Sequence, residues 1–164
     1  MAGTYEPIAS TTLGSDASSI TFSGIPQSFT DLVCVFKNAS NGSLSSNNSW
    51  VQFNSDAAAN YSDTWLYGNG TTAASFRDTS ATTGVRLGGK IDNGVTVLHI
   101  MSYANTNVYK TCLASSEALI NGAHSVTRIV GLWRSTAAIT SVSFVNNTTF
   151  KTGAVASLYG IKAA

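Results

Sequence analysis

Charge is scarce in this sequence. Asp, Glu, Lys and Arg make up 10% of its 164 residues, against about 25% in an ordinary soluble domain. Nine Lys and Arg oppose eight Asp and Glu, for a net charge of +1. The basic residues run from Lys37 to Lys162 without a cluster. A nucleic-acid partner is not expected, because a phosphate backbone has to be met by a basic face. Weak self-repulsion also lowers the solubility of a lone chain, which points to work inside an assembly.

Cysteine is almost missing too. Cys34 and Cys112 both sit in apolar surroundings, read as small buried hydrophobes rather than disulfide partners, and have no zinc spacing. No apolar run approaches the ~20 residues of a membrane span, so no membrane is expected as a partner. Met1-Ala2-Gly3-Thr4-Tyr5-Glu6-Pro7 lacks a basic stretch followed by an apolar core, so no signal peptide is expected.

Catalytic patterns are absent as well. No Gly-x-Ser-x-Gly elbow occurs, and no Gly-rich phosphate loop precedes a helix. The two histidines are His99, mid-strand between Leu98 and Ile100, and His124 in a turn-like stretch; both read as structural. The acids fall mostly beside turns, where Asp binds local backbone. Asp56 and Asp63 flank one loop and could share a Ca²⁺, but without an EF-hand pattern. The expectation is therefore no enzyme, no cofactor and no metal.

What is present is Ser (23), Thr (20), Gly (14) and Asn (13), separating short runs of Val, Ile, Leu and aromatics. Aromatics at 10% argue for a folded body over disorder. The runs predict about ten strands. Asp31–Lys37 is apolar through its middle, as in a central strand. Val95–Tyr103 and Tyr109–Ser115 flank Asn105-Thr106-Asn107 as a hairpin. Val126–Arg134 is a long strand with Gly131 as a candidate bulge. Residues 74–77 read as a short edge strand, 56–60 as one helical turn, and Asn146-Asn147 as the start of a turn. Residues 38–48 read as an exposed loop. So many antiparallel strands curl or split into two layers. The expected fold is all-β, an antiparallel β-sandwich of jelly-roll type, with a barrel as the alternative. One domain is expected to span 1–164. Residues 1–14 read either as an extended arm that adds to a neighbour's sheet or as the first strand of the chain's own sheet.

Trp50, Trp65 and Trp133 each lie in a strand. Two of the three are expected in the core.

The strand boundaries also spell an ordered set of short motifs. Tyr5-Glu6-Pro7-Ile8-Ala9 opens it, followed by Ile25-Pro26 and Phe29-Thr30-Asp31-Leu32. Phe53-Asn54, Asn60-Tyr61-Ser62 and Leu66-Tyr67-Gly68-Asn69-Gly70 come next. Gly131-Leu132-Trp133-Arg134-Ser135-Thr136 and Leu158-Tyr159-Gly160-Ile161 close it. In this order the chain resembles a group of small structural proteins of tailed bacteriophages. The resemblance spans nearly the whole chain and brings no catalytic residues. It implies a virion protein made in the host bacterial cytoplasm. The first expectation is a capsid decoration or cement protein that forms a homodimer or homotrimer and holds the major capsid protein. Tyr5, Glu6 and Pro7 of the arm and Asn41, Leu44 and Asn47 of the loop are its candidate interface residues. The alternative is a tail fibre or tail-tip domain that binds host carbohydrate on exposed aromatics near Trp65 and Tyr67.

Overall fold

A computed structural model of the chain describes residues 4–37, 49–87, 94–120 and 123–162. These hold twelve strands and no helix: β1 (Tyr5–Thr12), β2 (Ala17–Ser23), β3 (Asp31–Lys37), β4 (Ser49–Phe53), β5 (Tyr61–Gly68), β6 (Ala73–Thr82), β7 (Val85–Arg86), β8 (Val95–Ile100), β9 (Lys110–Ile120), β10 (Ala123–Trp133), β11 (Ser141–Phe150) and β12 (Val155–Ile161). All pair antiparallel. Eight form one sheet in the order β1-β12-β3-β8-β9-β10-β5-β6, and four form the other in the order β2-β11-β4-β7. The fold is an antiparallel β-sandwich. The chain crosses repeatedly between sheets, as in a jelly roll, but divides eight to four. The structure holds twelve strands against the expected ten; the edge strand expected at 74–77 is at the sheet edge but runs longer, over 73–82, and residues 85–86 form a two-residue strand.

Alternation builds the core. Trp65, Ile129, Ala114, Leu98, Cys34 and Leu158 are successive cross-strand neighbours on the inner face of the large sheet. Ile20, Phe22, Val142, Phe144, Val51, Phe53 and Val85 meet them from the small sheet, and all belong to one buried cluster. Phe36 joins the layers: its ring lies 4.8 Å from Phe144, stacked, and 5.0 Å from Phe150, edge-on. Such pairs add roughly 0.5–1.5 kcal/mol each beyond their burial. At one end Phe53, Tyr61 and Trp133 form a second aromatic group, with centroids 5.7–6.2 Å apart.

Several local expectations are corrected. Gly131 sits in unbroken register between Asp63 and Cys112, so it is no bulge. It is glycine because a Cβ there would lie 2.4 Å from Val85 Cγ1 and 2.8 Å from Cys112 Sγ. Residues 56–60 are irregular with a bend at 58–59, after a turn at 54–55. Asn54 and Ser55 adopt left-handed φ angles of 53° and 56°, and a chain turning that way does not start a right-handed helix. Asn146 and Asn147 lie inside β11, whose pairing with β2 shifts register between Val145 and Phe150. Both cysteines are buried and free.

The opening segment is the first strand of the chain's own sheet. Residues 5–12 pair with β12, with a register shift between Pro7 and Ala9. The Lys162 N–H donates to the Thr4 carbonyl at 3.3 Å. A strand already paired within its sheet has no free backbone on that side to add to a neighbour, so the donated-arm expectation is not met for residues 5–12.

Candidate functional site

The two sheets turn different surfaces outward. On the small sheet, Thr21, Ser143 and Gln52 are cross-strand neighbours. The Thr21 and Ser143 hydroxyls share a 2.9 Å hydrogen bond, and Gln52 Nε2 donates to the Thr83 carbonyl at 2.7 Å. Ser23 stands opposite Ser141. Trp50, half-buried beside Arg86, is the large apolar group of this face.

On the large sheet the same alternation puts out aliphatic side chains. One row runs Thr64, Val130, Leu113, His99 and Val33 across β5, β10, β9, β8 and β3. The next runs Leu66, Arg128, Ser115, Val97 and Val35, and the third Gly68, Val126, Glu117, Val95 and Lys37. Leu66 and Val126 are 61% exposed, Val130 50% and Leu113 44%. A shallow groove of about 450 Å³ lies among Leu66, Val97, His99, Leu113 and Val130. The centre carries two charges, Arg128 and Glu117, both exposed. The ion pairs Arg86–Asp78, Lys151–Asp16 and Lys162–Glu6 use neither of them. An antiparallel sheet that faces water ordinarily alternates apolar-in and polar-out. This one does not, over four adjacent strands.

The residues singled out from sequence fall elsewhere. Tyr5 is exposed on edge strand β1. Glu6 is taken up by Lys162 at 2.8 Å, and Pro7 stands opposite Tyr159. Asn41, Leu44 and Asn47 lie outside the described residues. Trp65 is no exposed platform: it is 8% exposed, in the core. Its indole N–H donates to Asp63 Oδ1 at 2.5 Å, and the Arg86 guanidinium covers its ring at 5.5 Å. Tyr67, two residues on and half-buried, turns to the same inner side. Trp133 is also buried, so Trp50 is the tryptophan left part-exposed. His99 lies half-buried on the outer face of β8, and the side chain of His124 is outside those described.

The buried polar groups are held by neighbours within the fold. Asp63 is 3% exposed. Burial pushes its carboxyl above the usual carboxylate range, although the Arg86 backbone N–H and the Trp65 indole both donate to it. For Asp56, burial works the same way. Donors from Asn60, Trp133 and the Ala58 backbone outweigh it and hold the group below its ordinary value. Asp56 and Asp63 thus serve two separate networks and share no ligand position. Lys110, wholly buried, donates from Nζ to the carbonyls of Asn105, Val108 and Thr136 at 2.5, 2.8 and 3.0 Å. Burial lowers its pKa, and the three carbonyls pin the loop before β9 to the loop after β10. Burial drives the Cys112 thiol up to about 12 and that of Cys34 beyond it, so neither is a thiolate at neutral pH. Among the described residues, no three His, Cys, Asp or Glu side chains gather as metal ligands.

The open face was missed by sequence reasoning, though a signal existed. Val126-Thr127-Arg128-Ile129-Val130 and Val95-Thr96-Val97-Leu98 put apolar groups on both sides of their strands. That pattern reads as a strand covered twice, and among the described residues the outward Val126 and Val130 remain exposed.

No family model matches the chain, and no curated protein matches it. Among solved structures it is similar to the carbohydrate-binding module CBM40 of the Ruminococcus gnavus IT-sialidase. Identity there is 10%, coverage 98% of this chain and 93% of that one, and the TM-score 0.34. It is also similar to a protein of unknown function from Shewanella oneidensis MR-1, at 9% identity, 99% and 77% coverage and a TM-score of 0.24.

Proposed function

We propose that this chain is a structural protein of a tailed-bacteriophage virion, a decoration or cement protein that steadies the head by adhesion. The adhesive part of the reading is carried by one observation, the cluster of exposed aliphatic side chains Leu66, Leu113, Val126 and Val130 on the outer face of the large sheet. Contiguous exposed apolar surface of that kind marks contact with another macromolecule. The virion setting rests on the ordered motifs from Tyr5-Glu6-Pro7 to Leu158-Tyr159-Gly160-Ile161. In this role no bond is made or broken. Apolar area removed from water supplies the attraction, at about 25 cal/mol per Å² before the cost of association. The low charge of the chain suits close packing against the major capsid protein and sister copies.

The rival post, a fibre or tail-tip domain holding host sugar, loses its stacking platform with Trp65 in the core. Antibody labelling of intact particles from the cells that make the protein tests the proposal. Label on heads at hundreds of copies is the expected result. A few copies at the tail alone, or unlabelled particles, overturns it.

A further inference from the structure

We infer that the open face of the large sheet is a two-fold interface between two copies of this chain, sheet stacked on sheet. The inference rests on the adhesive reading above and names its first partner. Three observations point to a second copy.

The first is the contrast between the faces. The small sheet is dressed in hydroxyls where it meets water, so the chain has a polar way to finish a sheet. It abandons that way on β5, β10 and β9, where Leu66, Val126, Val130 and Leu113 stand exposed.

The second is charge. Arg128 stands opposite Ser115, and Glu117 lies two residues along β9, opposite Val126. They are diagonal neighbours of opposite sign, and no ion pair joins them within the chain. A two-fold axis placed between them sets Arg128 of each copy over Glu117 of the other, so the charged centre of the face is complementary to itself. Isologous contacts require that property.

The third is area. The four strands of the aliphatic face, spaced about 4.8 Å apart and roughly 20 Å long, give roughly 400 Å², and the flanking β3, β12, β1 and β6 bring the whole face of the sheet to roughly 750 Å². A standard stable interface takes about 800 Å² from each partner. The layout also suits one: aliphatic groups surround the central Arg128 and Glu117, and Arg77, Lys37, Ser157 and Ser10 form a polar rim. Sheets stacked face to face lie about 10 Å apart.

Sedimentation equilibrium of the full chain over the micromolar range tests the inference, with circular dichroism confirming that each variant is folded. The wild type is expected to be a dimer. Val130→Glu buries an uncompensated charge and is expected to weaken the dimer at least about 100-fold. Leu66→Glu, at a more exposed position, should do the same without any burden on the fold. Arg128→Glu and Glu117→Arg should each weaken association, and the two together in one chain should restore it. A foreign partner would not be recovered by that exchange. A monomeric wild type overturns the inference, as does a dimer indifferent to Val130→Glu and Leu66→Glu or to the charge reversals. The two readings fail separately. A monomer that still coats heads removes the dimer and leaves the virion role; a dimer absent from particles does the reverse.

Discussion

The outer faces of the two sheets are made by one chain of one composition, yet they differ in kind. Thr21, Ser143 and Gln52 finish the small sheet with hydrogen bonds that close on themselves. Leu66, Val126, Val130 and Leu113 finish the large one with aliphatic surface. Folding does not require that difference, because both sheets already bury their inner faces in one core. A property with no folding duty points to duty elsewhere, and that separates contact residues from structural ones along a single strand. On β10, Ile129 and Gly131 belong to the interior, and Val126 and Val130 to the outside.

The separation is most sharply tested at adjacent residues. Gly131→Ala forces a Cβ to 2.4 Å from Val85 and 2.8 Å from Cys112. It is expected to cost about 3 kcal/mol or more, seen as a fall in the urea midpoint. Val130→Thr next to it, measured on dilute monomeric protein, should stay within about 0.5 kcal/mol of wild type. Equal losses at the two positions would erase the distinction between the faces.

A smaller effect is expected at the end of the sandwich. Asp56→Ala leaves the Trp133 indole N–H, now bonded at 2.7 Å, without its acceptor inside the protein. The expected cost is about 2–3 kcal/mol, read by thermal or urea unfolding, and self-association should be unchanged because the site is remote from the open face. Loss of the dimer in this variant would break the comparison.

Acid should separate two carboxylates next. Asp56 has a folded pKa below 3.8, so the folded state binds protons less readily than the unfolded chain. Its stabilisation is present above 3.8 and is lost as pH falls through the folded value. Asp63 has a folded pKa above 3.8. Its charged form penalises the fold, and that penalty fades as pH falls towards 3.8. Urea midpoints followed from pH 7 downward should drop less steeply at low pH in Asp56→Asn than in wild type. An unchanged acid limb would contradict the assignment.

The smallest expected change is on the polar face. Thr21→Val with Ser143→Val removes both partners of one hydroxyl pair, so stability should hold within about 1 kcal/mol. The altered face should instead begin to associate, detectable by light scattering at a concentration where the wild type shows none beyond its own dimer. A double variant that stays as soluble as wild type would mean that aliphatic dressing alone does not make a face adhesive.

Much of the fold was legible because alternation and turn residues speak locally. Asp31–Lys37 and the hairpin around Asn105-Thr106-Asn107 read correctly from their own residues. The failures needed partners distant in sequence. Gly131 looks like a bulge until Val85 is placed against it. Trp65 looks available until Asp63 and Arg86 enclose its edge and ring. Residues 1–14 were open between an arm and a strand until β12, almost the whole chain away, was set beside them. The candidate surface was the least legible feature, because apolar groups on both sides of β8 and β10 say only that both sides are covered. They do not say that one side is left exposed on β10.

The pairing of β1 with β12 has a consequence for synthesis. β1 is synthesised long before its neighbour β12, so an edge of the large sheet stays unsealed until β12 has been made. Thr4 and Lys162 end as hydrogen-bonded neighbours. A short linker across that seam, with new termini opened at Asn69-Gly70, would let the protein be born in a different order and arrive at the same sandwich.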